Sequence, residues 1–389
     1  MTSADRWLLP DGIEEILPPQ ARQIESLRRQ LLDVLDGWGY DVVMPPALEY
    51  LDSLLTGVGK DLDLRTFKVT DQLSGRLMGL SADTTPQVAR IDAHSFAPEG
   101  VGRFCYCRTV FHAKSSSLLA SRTPTQIGAE LYGEAGIDAD VEIISLMVDL
   151  LKRAGVRQVH LDLGNVAVFR ALADAAQLTD AQQQSLFALL RLKCVSDLDQ
   201  WAREHIVDPG LASAFAQAFR LQGDLQALTS AIAELSAAVP TAATALQHTL
   251  DVAQRLMARF PELPLYFDFT ELRGYDYHTG LVFAAYVPGY GDAVMQGGRY
   301  DETGAVFGRA RPATGFSGDL KVLARFGSAS VTCRETVLAP NDHDEQLWQH
   351  IQTLREQGKR VLTQLNGDTV AADYQLQKHD GQWQLVKIN

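Results

Sequence analysis

Cysteine is scarce. The four cysteines in 389 residues, at positions 105, 107, 194 and 333, form no CxxC pair and no disulfide framework, so a reducing cytoplasm is the expected setting. Cys105 and Cys107, one residue apart, would place both thiols on one side of a strand, as two small buried hydrophobes rather than half a metal site. None of the nine histidines stands in an HExxH segment, and no metal or other cofactor is expected. Long apolar runs are also missing. No stretch reaches about 18 apolar residues, and the opening MTSADRWLLPDG has no basic segment leading into an apolar one, so no membrane partner is expected. Positive charge is in deficit: 35 Lys and Arg face 48 Asp and Glu, a net −13 that opposes broad contact with nucleic acid. No period repeats, and 46% hydrophobic with 21% charged residues excludes disorder.

The length suggests two or three domains at roughly 150 residues each. Ile24, Leu27, Leu31 and Leu35 recur at helical spacing across residues 20–38, ahead of Gly37 and Gly39. YDVVMPPALEYLDSLL (40–55) reads as a short strand, a Pro45-Pro46 break and a helical stretch. FKVTD, RLMGLS, GRFCYCRTVFH and TQIGAELYG, between Phe67 and Gly133, read as antiparallel strands around a helix at 85–93. Residues 138–154 open acidic and close basic, as the helix dipole favours. The 98 residues from Asn165 to Glu262 hold 22 Ala and only 2 Gly, which predicts an all-helical insertion. The 66 residues from Leu265 to Ser330 hold 11 Gly, and LYFDFTELR and GLVFAAYV return the chain to sheet. The division expected is a core of 1–164 and 263–330, the insertion at 165–262, and a small C-terminal α/β domain at 331–389. In that last part a helix (EQLWQHIQTLREQG) and a hairpin turning at Asp380-Gly381 are expected.

ELRGYDYHTG (271–280) and QGGRYD (296–301) carry more chemistry. Gly297 and Gly298 would let a ligand lie on backbone, Arg273 offers a planar fork for a carboxylate, and Tyr277 a wall for a flat ring. SADTTPQ and TQIGAE add Asp83, Thr85, Gln126 and Glu130, acceptors suited to an ammonium group and an imidazole N–H. The plainer reading of each is a solvated loop. Together they fit a small zwitterionic aromatic ligand.

In this order, WGYDVVMPPALE, LSADTTPQVAR, RTPTQIGAE, LRGYDYHTG and GGRYD resemble the class II histidyl-tRNA synthetase core over roughly residues 7–325, insertion excluded. The resemblance implies an α+β fold: an antiparallel six-stranded sheet flanked by helices, dimerised through Trp38 to Glu49. It places the histidine ammonium at Asp83 and Thr85 with Gln126 helping, the imidazole at Glu130, the carboxylate at Arg273 and the aromatic wall at Tyr277. His278 stands where the synthetase carries a second tyrosine, and Asp83 is one methylene shorter than the usual glutamate.

The departures concern ATP. The arginine that holds the α-phosphate lands on His112, its neighbouring glutamate on Lys114, and the motif 3 glutamate and arginine on Lys321 and Val322. Losing one donor to developing charge costs about 10² to 10³ in rate, so adenylate formation should be lost, and no catalytic residue is assigned. Residues 331–389 hold six Lys and Arg against eight Asp and Glu, with no basic aromatic face for an anticodon, so no tRNA partner is expected. This combination is similar to the synthetase-like regulatory subunits of ATP phosphoribosyltransferase. That resemblance implies a noncatalytic partner of the short-form catalytic subunit in the first step of histidine biosynthesis. Free histidine would be the effector, within a larger hetero-oligomer. The alternative is an active histidine-tRNA ligase with atypical ATP motifs.

Overall fold

The four apolar positions from Ile24 to Leu35 form one face of a helix, Gln20–Gly37, and all four are buried. It belongs to a computed structural model of the chain, which describes residues 7–56, 60–115, 120–192, 195–270, 277–328, 334–365 and 371–388. The chain divides into two compact units, Met1–Ala329 and Ser330–Asn389.

Twelve strands lie in the first unit: β1 (Asp41–Val42), β2 (Leu48–Tyr50), β3 (Phe67–Thr70), β4 (Leu77–Leu80), β5 (Gly102–Thr109), β6 (Thr125–Tyr132), β7 (His160–Asn165), β8 (Gln222–Gly223), β9 (Leu265–Asp268), β10 (Leu281–Tyr286), β11 (Met295–Arg299) and β12 (Ala313–Asp319). β2, β4 and β3 make a small antiparallel sheet. The others form one sheet in the order β1-β5-β6-β12-β11-β10-β7-β9-β8. Its middle, β5 to β7, is a block of six mutually antiparallel strands. The sheet exceeds the expected six strands because β1 joins β5 in parallel and β9 joins β7 in parallel, with β8 beyond. β8 also interrupts the stretch expected to be wholly helical. Around it the described residues of that stretch fold as six helices, Val166–Ala175, Asp180–Leu192, Val195–His205, Pro209–Ala218, Leu225–Ala238 and Pro240–Arg259. Asn165, Asp208 and Asp224 cap three of them by accepting from backbone N–H groups of the first turn.

The two faces of the sheet differ as period-two alternation requires. Ile127, Ala129 and Leu131 of β6, with Cys105 and Phe316, enter the main core, against helices Gln20–Gly37 and Ile137–Arg153. Cys105 and Cys107 share that side, and burial pushes both thiols up to about 12, so they pack rather than react. The other face carries a second cluster containing Phe104, Tyr106, Tyr132 and Tyr300. Helix Thr85–Arg90, continued by a wider turn over Ile91–Ser95, covers it through Val88 and Ala89.

The described residues of the second unit form a four-stranded sheet with one helix, Glu345–Glu356. Strands Thr336–Ala339, Arg360–Thr363, Tyr374–His379 and Gln382–Lys387 build it, around Val337, Leu347, Ile351 and Leu376. Its hairpin turns on Asp380 (φ 49°) and Gly381 (φ 78°), two left-handed residues that match strand twist.

Candidate functional site

Glu130 anchors the site. It lies on the second face of β6, opposite Phe104 on β5 and Gly315 on β12, and is buried. A carboxylate there needs donors, and three hydroxyls supply them: Thr85 Oγ1 (2.9 Å) and Tyr106 OH (2.9 Å) donate to Oε1, and Tyr300 OH donates to Oε2. Tyr132 OH lies 3.2 Å from Tyr300 OH and extends the network. Desolvation outweighs these bonds and pushes the Glu130 carboxyl up to about 8.

Glycines keep the floor of the site low. An added Cβ would stand 1.6 Å from Glu130 Oε2 at Gly315, 2.6 Å from Tyr106 OH at Gly128, and 2.9 Å from His278 Nε2 at Gly298. Backbone rather than side chain therefore faces a ligand.

The expected amino-acid contacts converge on this floor. Gln126 Nε2 donates to Asp83 Oδ1 (2.9 Å) and Ser317 Oγ (3.1 Å), while Gln126 Oε1 accepts from Thr84 N (2.9 Å). Asp83 Oδ1 also accepts from Thr85 N (3.1 Å), so one carboxylate oxygen is held while Oδ2 has no hydrogen-bond partner among the described residues. The Tyr277 ring rests 4.1 Å from the buried His278 ring and meets Tyr300 edge-on at 6.4 Å. His278 O accepts from Arg170. Asp83, Thr85, Gln126, Glu130, Tyr277 and His278 thus line one recess; Arg273 lies outside the described residues. Tyr106, Tyr132 and Tyr300 escaped the sequence reading as partners of Glu130. The strand period sets Tyr132 on the face of Glu130 within β6, whereas Tyr106 joins that face only through the register of β5 on β6.

The positions aligned with ATP contacts are committed elsewhere. His112 is held neutral, burial and then the Arg65 charge pushing it down to about 4. Lys114 is exposed, Lys321 Nζ donates to Glu14 (3.2 Å), and Val322 packs against the core. Arg122 donates to the carbonyls of His112 (3.0 Å) and Asp11 (3.2 Å). Arg108 donates to the Pro45 carbonyl (2.6 Å) and to Gln87 Oε1 (3.2 Å). Among the described residues no three His, Cys, Asp or Glu side chains gather as metal ligands, and no helix is long and apolar enough to cross a membrane.

The family described as histidyl-tRNA synthetase matches residues 12–323, and the ATP phosphoribosyltransferase subunit HisZ C-terminal domain matches residues 334–386. A protein of Ectopseudomonas mendocina named ATP phosphoribosyltransferase regulatory subunit is 51% identical, and one of that name from Azotobacter vinelandii is 52% identical, each over the whole of both chains. This chain belongs to the ATP phosphoribosyltransferase regulatory subunit family. Regulatory subunits of this family are noncatalytic, in keeping with the committed arginines and the neutral His112. A solved structure described as an ATP phosphoribosyltransferase regulatory subunit/histidyl-tRNA synthetase from Bacillus halodurans superposes with a TM-score of 0.81 at 25% identity, covering 95% of this chain and 96% of that one.

Proposed function

We propose that this regulatory subunit binds free histidine in the Glu130 recess and uses it to report on the end product of the pathway. It would activate a short-form ATP phosphoribosyltransferase catalytic subunit, which condenses ATP with phosphoribosyl pyrophosphate, and make the assembly sensitive to histidine. The observation that carries this reading is the division within one recess: the amino-acid contacts stand together around Glu130 while the arginines near the ATP positions are spent on backbone carbonyls. A pocket that holds the amino acid and lacks the ATP contacts is equipped for sensing. Sensing requires that histidine bind one state of the complex more tightly, and the nucleotide substrates must then weaken histidine wherever they favour the other state. Dimerisation through residues 38–49, a cytoplasmic location and the absence of a tRNA partner complete the proposal.

The test is calorimetry of histidine on the parent and on Glu130→Ala. Removing the imidazole partner should cost roughly 10- to 150-fold in affinity. Equal binding by both proteins would place histidine elsewhere.

A further inference from the structure

Arg65 ends the short helix Lys60–Arg65 and is fixed there by its own carbonyl, which accepts from Ala113 N (2.7 Å). Its guanidinium lies against the His112 ring, with Nη2 2.8 Å from Nε2 and 3.3 Å from Nδ1. His112 Nε2 also stands 3.0 Å from the Ala82 carbonyl. With the Nε2 proton given to that carbonyl, the neutral ring offers Arg65 one lone pair at most, on Nδ1. An arginine carries five N–H donors, so most of this fork has no partner among the described residues.

No carboxylate among the described residues lies within ion-pair distance of Arg65. Asp83, next in the chain to the Ala82 carbonyl that His112 touches, turns its Oδ1 to Gln126 and to the Thr85 amide. Arg65 reaches the rim of the Glu130 recess through His112, whose ring joins it to the carbonyl of Ala82, the residue before Asp83, and its charge acts on Tyr277 as well. A half-buried arginine whose donors are mostly unpartnered among the described residues matches the geometry by which a planar fork takes a carboxylate or a phosphate.

We infer that Arg65 is an anion-binding residue of this recess, which receives an oxyanion beside the group held at Glu130. The shared chemistry is an oxyanion with two oxygens for the fork; its source is either the carboxylate of histidine or a phosphate bound next to it. The inference deepens the proposed function and rests on it only where the carboxylate is the source.

The experiment compares the parent with Arg65→Gln, titrating each with histidine, with histidinol, which lacks the carboxylate, and with pyrophosphate. If the carboxylate is the source, Arg65→Gln weakens histidine by about 10- to 100-fold and leaves histidinol unchanged. If phosphate is the source, histidine binding is unchanged and pyrophosphate binding, present in the parent, is lost. Parent and variant binding all three alike, or a parent that binds neither histidine nor pyrophosphate, overturns the inference. Pyrophosphate binding that depends on Arg65 without any histidine binding would sink the proposed function and leave this inference standing. Should Arg65→Gln melt well below the parent, Arg65→Lys carries the test: it keeps the charge and loses the fork, and affinities equal to the parent's count against the assignment.

Discussion

Gly315 and Glu130 face each other across neighbouring strands so closely that a single methyl group on Gly315 would stand 1.6 Å from Glu130 Oε2. The carboxylate occupies the space a side chain at 315 would fill. Gly315→Ala should therefore displace Glu130 from its three hydroxyl donors. Overpacking of this kind costs about 1 to 3 kcal/mol. Histidine affinity should fall at least as far as in Glu130→Ala, and calorimetry with a thermal melt measures both effects.

Glu130 gives the fold a pH dependence of definite sign. Its carboxyl is pushed from an ordinary 4.5 up to about 8, so between those values the folded chain keeps a proton that the unfolded chain releases. Stability from this group is complete below the lower value and is lost as pH rises toward the upper one, at up to about 1.4 kcal/mol per pH unit. Glu130→Gln cannot ionise. Urea unfolding of the variant should show a shallower decline between about pH 5 and pH 8 than the parent; parallel curves would contradict the burial argument.

Histidine-dependent ATP–pyrophosphate exchange should be absent. The double substitution His112→Arg and Val322→Arg should not restore it, because Lys321 remains paired with Glu14 and Arg122 remains bound to carbonyls. A rate of even a few per cent of a true ligase's would mean that ATP is positioned by other groups.

The proposed dimer segment displays apolar side chains: Met44 is 88% exposed and Val42 47%. Isolated apolar residues are ordinary on a surface, but Val42 lies on the edge strand β1, Met44 follows two residues later, and Leu48 and Tyr50 of β2, next in the chain, are also exposed. A two-fold contact needs such a self-complementary patch. Met44→Glu with Val42→Lys should give monomers in sedimentation, and an unchanged dimer would move the interface elsewhere.

In complexes with the short-form catalytic subunit, parent and Glu130→Ala should both raise the rate of phosphoribosyl-ATP formation, while histidine inhibition should weaken in the variant. Couplings of about 1 to 3 kcal/mol would shift the inhibitory concentration roughly 5- to 150-fold. Identical inhibition would assign feedback to a different pocket.

Much of this was legible in the residues, and the gaps have physical causes. The helix at 20–37 and the strands β5 and β6 followed from apolar spacing, since each presents one face to the core. β12 escaped because ATGFSGD reads as a turn; its glycines are there to clear Glu130 and Met295 across the sheet. β7 escaped because HLDLGN is short and half polar, and its partners β9 and β10 come about 100 residues later in the chain. The recess was legible as a set of residue types. The hydroxyl clamp on Glu130 depended on strand register, which no spacing in the chain discloses.

Arg108 has a consequence for the proposed dimer segment. Pro45 and Pro46 have no amide hydrogens, and their carbonyls are held by Arg108 from β5 and Gln87 from the helix beneath. A side chain has been made into scaffolding for the segment that leads into the proposed dimer contact. Removing that arginine would unfasten the loop it supports. The shape of the proposed dimer segment is thus set from outside itself, by a side chain of the neighbouring strand β5.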